Sequence, residues 1–285
     1  MSTTTLSPTG SPAGPAVDPT ADDVRLTFGR VVASEWIKFR SLRSTVWTLG
    51  ITFVLMVGSS LLMAAGTVGT DGGIGLPGAS IITFGYYFGQ LAMAVLAVLV
   101  ISGEYGTGMI RSTFAAVPTR LPALAAKAIV LAVTAFVVSM VSILVSWLVT
   151  YRMLEPLGLA ADLTDPETIR VVLGAGLYIT AIALFAFALG ALLRHTAAAL
   201  ATVFGLLLVV ETVFMALPQA FFRNVSPFLP GTAGQRVMLP EEVLEMTDPG
   251  AIGPVLGPWE GYAVLVAWVV VLLATAAVLL RRRDA

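Results

Sequence analysis

The stretch AIVLAVTAFVVSMVSILVSWLV, Ala128–Val149, contains no charged residue and decides the fold class. At 1.5 Å rise per residue it matches the ~30 Å hydrocarbon core of a bilayer as one helix. Five more runs of similar length flank it: Val46–Ala65, Ile81–Ser102, Val171–Leu193, Ala197–Leu217 and Tyr262–Leu280. With no water in the core to satisfy backbone groups, helices are the expected spanning structure. Hydrophobic residues make up 57% of the 285-residue chain and charged residues only 12%, too little charge to cover a soluble domain of this size. The fold class expected is therefore all-α, a polytopic membrane protein with six transmembrane helices.

Orientation follows from the loops. Arg25, Arg30, Lys38, Arg40 and Arg43 precede the first run, and Arg111, Arg120 and Lys127 lie between the second run and the start of the third. Arg194 sits in the tight fourth-to-fifth turn, and Arg281, Arg282 and Arg283 close the sequence. The alternate loops hold only Arg152, Arg170, Arg223 and Arg236, beside many acids. The basic excess makes both termini cytoplasmic. Trp47, Trp147, Tyr151, Trp259 and Tyr262 lie near run ends, at headgroup level. Residues 1–23, rich in Ser, Thr, Pro and Gly, read as a disordered cytoplasmic tail. No cleavable signal peptide is expected, because the first apolar run starts too far into the chain. Residues 24–285 read as a single membrane domain.

Between tail and first run, residues 28–44 place Phe28, Val31, Val32, Trp36, Phe39 and Leu42 on one helical face. Arg30, Ser34, Arg40 and Arg43 take the sides and back, as in an amphipathic helix lying in the membrane interface. Glu35 falls within the apolar face. Either the helix is a basic anchor and nothing more, or Glu35 and its basic neighbours touch a cytoplasmic partner. The longest cytoplasmic loop, residues 103–122, carries a second amphipathic pattern. Met109, Ile110, Thr113, Phe114 and Val117 share one face, with Arg111 and Ser112 opposite and Pro118 as a stop. Such a helix fits a groove on another protein or lies flat on the bilayer. Glu104, at the end of the second run, is either a solvated end charge or paired with a nearby Arg.

Chemistry within the chain is sparse. A P-loop needs Gly-x-x-x-x-Gly-Lys-Ser/Thr, and the only lysines, Lys38 and Lys127, follow Ile37 and Ala126. No ATP site of that kind is present. One histidine, His195, in a cytoplasmic turn, excludes His-x-x-x-His metal pairs, and the lack of cysteine excludes thiol chemistry. No catalytic or metal site and no nucleic-acid partner is expected.

Glu211 is the only acid well inside a predicted run, about six residues or ~9 Å from its outer end. A charge there costs a few kcal/mol, so it should face the bundle and find a partner. Tyr86, Tyr87 and Tyr178 reach comparable depth, with Gln90 one turn deeper. A polar cluster of Glu211 with one or more of these is expected, either as helix-to-helix glue or as part of a transport path. In the outer loop, residues 218–260, Ala220–Phe222 and Pro227–Leu229 are apolar pieces suited to dipping into the interface, and Pro240–Glu245 reads as an acidic helix.

The order of these parts resembles the permease subunit of type-2 ATP-binding-cassette exporters. The resemblance is carried by the lead-in Ser34-Glu35-Trp36-Ile37-Lys38-Phe39-Arg40-Ser41-Leu42-Arg43-Ser44 and by the loop Gly103-Glu104-Tyr105-Gly106-Thr107-Gly108-Met109-Ile110-Arg111. The Gly190–Thr196 turn and the Ser226–Thr232 segment are also similar, and the likeness covers residues 28–283. It implies a dimer of permease subunits driven by two cytoplasmic ATP-binding subunits, which use ATP and Mg. It also implies a coupling helix from Glu104 to Pro118, a connecting helix from Phe28 to Ser44, and re-entrant helices at the external mouth. The expected ATPase-facing residues are Glu35, Arg40, Arg43, Glu104, Met109, Ile110, Arg111, Phe114 and Arg120. Two other classes compete: an ion-coupled carrier, which normally needs several intramembrane charges where only Glu211 is found, and an intramembrane enzyme, which lacks any assembled acid pair or Ser/His arrangement.

Overall fold

The computed structural model describes residues 27–70, 75–109, 121–247 and 254–282. The tail 1–23 and the loop residues Ile110, Arg111, Phe114 and Arg120 lie outside them, so the expectations placed there are not addressed by the fold. Among the described residues the protein is all-α, and six helical stretches are long and apolar enough to cross a membrane. They run Arg43–Gly69, Gly78–Gly106, Leu121–Leu157, Pro166–Leu193, Thr196–Ala216 and Pro258–Arg282. Each extends the predicted run by about a turn at one or both ends, except the third, which runs about two turns further at each end, and the fifth, which matches closely. A short helix, Phe28–Ser41, precedes the first.

The fourth span is the axis of the bundle. Of its most apolar window 78% is buried, against 22% for the fifth and sixth spans, and it packs on the second, third and sixth. Its sequence explains this: Gly174, Gly176, Ala181, Ala183, Ala186, Ala188 and Gly190 let neighbours approach closely. Asp165 caps its start, the carboxylate accepting from the Thr168 N–H at 2.8 Å, with Pro166 in the first turn. At its other end Arg194 adopts φ 54°, the left-handed conformation usually left to glycine, and donates its N–H to Gly190 O at 3.0 Å. His195, expected in a turn, is exposed and caps the next helix, Nδ1 accepting from Ala198 N–H at 3.3 Å. That two-residue turn makes spans four and five antiparallel neighbours.

Two spans are not the continuous helices expected. The second is a helix Gly78–Thr83, a turn at Phe84–Gly85, and a helix Tyr86–Thr107. Gly85 lies against the first-span backbone at Met56, where any Cβ would collide. The break frees backbone groups, and one hydroxyl absorbs two of them: Ser60 donates to Ile82 O at 3.1 Å and accepts from Gly85 N–H at 3.2 Å. A neighbouring span's side chain is how broken backbone survives at membrane depth. The fifth span contains a π-helical turn, Gly205–Val210, just before Glu211. Its buried residues Ala199, Val203, Leu207 and Glu211 recur every fourth position. On a regular helix that stripe would drift about 40° per step, and the wider i→i+5 turn takes up part of the drift.

The outer loop folds back into the bundle. Helices Ala220–Val225 and Pro230–Gln235 are each followed by a 3₁₀ turn, and Glu241–Thr247 forms the expected acidic helix. The Pro230–Met238 segment packs on the fourth and sixth spans, and glycine makes that possible on both sides. A Cβ at Gly174 would meet Val237 O, one at Gly261 would meet Ala233 O, and one at Gly234 would meet Leu265. Arg170 secures its far end, donating to Val237 O at 3.1 Å and Leu239 O at 3.0 Å.

Candidate functional site

Two buried polar regions stand out, one at each end of the bundle. At the cytoplasmic end, as the basic loops assign it, the lead-in helix buries Val31, Glu35 and Phe39, one stripe at i, i+4 and i+8. Val31 packs with Val32 on Ala123 and Ala126 at the start of the third span. The apolar side therefore rests partly on the chain itself, while Phe28, Trp36, Ile37 and Leu42 remain exposed. Glu35, the apparent flaw in the apolar face, belongs to this contact.

Lys127, only 3% exposed, donates to Glu35 Oε2 at 2.6 Å and to Glu104 Oε1 at 2.6 Å. Lys38 also pairs with Glu104 Oε1. Both lysines of the chain and two acids thus form a neutral four-residue cluster joining the lead-in helix to the second and third spans. Glu35 and Glu104, both expected at the ATPase-facing surface, are buried here with their carboxylates engaged by lysine. The Arg partner expected for Glu104 is also replaced, by Lys127 and Lys38. The reason is energetic. A carboxylate on an apolar stripe must find a cation close by, and a lysine at the next helix's start supplies it. Glu104 Oε2 is buried and has no hydrogen-bond partner. Arg40, in the last turn of the lead-in helix, and Arg43, at the start of the first span, are exposed, and Met109 is half-exposed. Nearby, Ser102 and Thr196 share a 2.8 Å hydrogen bond, and the Arg194 guanidinium lies 5.1 Å from the Tyr105 ring centre.

At the outer end the expected cluster divides in two. Tyr178, fully buried, donates its hydroxyl to Gln90 Oε1 at 2.6 Å and accepts from Gln235 Nε2 at 3.3 Å. Tyr86 reaches Gln235 Oε1 at 3.5 Å and meets the Tyr178 ring edge-on at 5.9 Å between centres. Tyr87, expected among them, is 47% exposed and stacks on Tyr86 and Phe84. Glu211 hydrogen-bonds to none of the four residues expected. It accepts instead from Gly231 N–H at 2.5 Å and Thr232 Oγ1 at 3.2 Å, at the start of the infolded helix. Gly231 permits this because a Cβ there would strike the carboxylate.

Sequence reasoning missed Lys38 and Lys127 as partners, and Gly231, Thr232 and Gln235 altogether. The lysines carried a signal: they are the only two of the 16 basic residues that are not arginine, and Lys127 begins an apolar run. Gln235 carried none, since nothing local shows that an outer loop reaches the fourth span. Among the described residues no group of three or more His, Cys, Asp or Glu could hold a metal ion.

This architecture defines an all-α polytopic membrane protein whose interfacial helix is ion-paired to its spans. No family model matches the chain, and no curated protein matches it.

Proposed function

We propose that this chain is the membrane-spanning permease subunit of an ATP-driven exporter, moving a lipid, a drug or antibiotic, or a peptide across a bacterial plasma membrane. Energy comes from ATP and Mg used by a separate cytoplasmic ATP-binding-cassette subunit, two copies serving a pair of permease subunits, most simply a homodimer. The chain itself does no covalent chemistry. The observation that supports this best is the Glu35–Lys38–Glu104–Lys127 junction. It makes a helix at the cytoplasmic surface mechanically continuous with the ends of the second and third spans, directly before the 103–122 loop. A push on that surface would tilt the spans rather than bend a loose linker. Arg40, Arg43 and Met109 lie on the same side, where an ATPase would dock. The arginine bias fits a GC-rich bacterial source.

The test is co-purification. The P-loop ATPase whose coding sequence adjoins that of this chain should copurify with it from membranes, and substituting Ile110 or Phe114 by Asp should abolish the association. Failure of any ATPase to associate would overturn the proposal.

A further inference from the structure

The lead-in helix turns its apolar stripe into the molecule. Val31 and Phe39 are buried against the chain itself, and Glu35 between them is paired with Lys127. A helix used in that way cannot hold a membrane by sinking its apolar side among acyl chains. Its hold falls to the side chains left outside, and these gather where it meets the first span. Trp36 and Arg40 lie four residues apart, off the buried stripe, and both are exposed. After the single extended residue Leu42 the first span begins at Arg43, with Trp47, 72% exposed, four residues on. The elbow thus carries two Arg–Trp pairs, one on each arm. Arg40 and Arg43 are three residues apart, so their Cα atoms lie within about 11 Å and both guanidiniums can meet one anion. Among the described residues no salt bridge includes either of them.

The first span says which anion. Arg43, Trp47, Ile51, Val54 and Leu62 recur at helical spacing on one face, and every one of them is exposed. That face is an outward apolar stripe headed by a guanidinium, with an indole between charge and hydrocarbon, the depth at which headgroups sit. A soluble partner stops at the headgroups, whereas this stripe runs on into the acyl region. An arginine fork donates two parallel hydrogen bonds to a phosphate, and anionic lipids of the cytoplasmic leaflet attract basic segments beside a span. We propose that the elbow binds one anionic phospholipid, its phosphate held between Arg40 and Arg43, its headgroup flanked by Trp36 and Trp47, its acyl chains along Ile51 and Val54. The site goes beyond the exporter reading and does not depend on it.

The test uses the full chain in uncharged detergent, with bound lipid counted by native mass spectrometry. No ATPase or nucleotide enters it, so its failure leaves the permease proposal standing. The probes are dioctanoyl phosphatidylglycerol and dioctanoyl phosphatidylcholine. One phosphatidylglycerol per chain should bind saturably, on the order of twentyfold more tightly than phosphatidylcholine. Arg40→Gln and Arg43→Gln should each weaken it roughly fivefold, and the two together should erase the preference. Arg281→Gln/Arg282→Gln, which removes the same charge elsewhere at the cytoplasmic end, should leave it unchanged. Equal binding of the two lipids, or an equal loss in the Arg281/Arg282 variant, would overturn the site, the latter by making the attraction diffuse. Full competition by millimolar inorganic phosphate would also overturn it, because the anion would then be a soluble one. So would an undiminished preference in the Arg40/Arg43 double variant, and if that variant also lost a copurifying ATPase, the arginines would belong to a protein contact instead.

Discussion

The two buried polar regions of this protein solve the same problem in opposite ways. At the cytoplasmic end two acids and two lysines cancel, each carboxylate held by an ammonium. At the outer end one carboxylate is held by neutral donors, beside an uncharged Tyr–Gln network. A balanced cluster is rigid and intolerant, because removing one member strands a buried charge. A neutral network loses little when one hydroxyl goes, because hydrogen bonds between spans average below 1 kcal/mol. The former suits a mechanical joint, the latter a contact that tolerates change.

That contrast can be broken by substitution. Lys127→Met should have the largest effect, since it leaves Glu35 with no cation and Glu104 with only Lys38. About 3–5 kcal/mol of destabilisation is expected, read as loss of folded protein in detergent and a large drop in Tm. Adding Glu35→Gln should recover part of it, whereas a merely exposed ion pair would show neither the loss nor the recovery. Next comes Ser60→Ala, which leaves the Ile82 carbonyl and the Gly85 N–H unsatisfied inside the bundle. A loss of about 1–3 kcal/mol is expected by thermal unfolding. Tyr178→Phe should cost least, on the order of 0.6 kcal/mol and no more than about 1.7, because Gln90 and Gln235 keep other partners within reach. If Tyr178→Phe proved as damaging as Lys127→Met, the distinction between joint and contact would fail.

The sequence made some of this plain and hid the rest for physical reasons. Span number is visible because hydrocarbon thickness sets a length that Ala128–Val149 meets by composition alone. The break at Gly85 is not visible, since its cause is the approach of Met56 from another span. Glu35 was legible as an anomaly: an acid on an apolar face demands a partner, though periodicity within one helix cannot name it. Glu211 was legible as buried. Its partners were not, because Gly231 and Thr232 arrive by an infolded loop whose depth depends on glycine contacts with three spans. Close approach between distant segments is thus the information that local pattern lacks.

The most direct measurement is ATP hydrolysis by the ATPase proposed as partner, in proteoliposomes containing wild-type chain or the Lys127→Met/Glu35→Gln pair. The wild-type chain should raise hydrolysis above that of the ATPase alone. The double variant should still bind the ATPase but lose most of that stimulation, because its interfacial helix keeps only the Lys38–Glu104 pair to the second span and none to the third. Undiminished stimulation by the variant, with binding intact, would contradict a joint at Lys127 as the route by which energy enters the membrane.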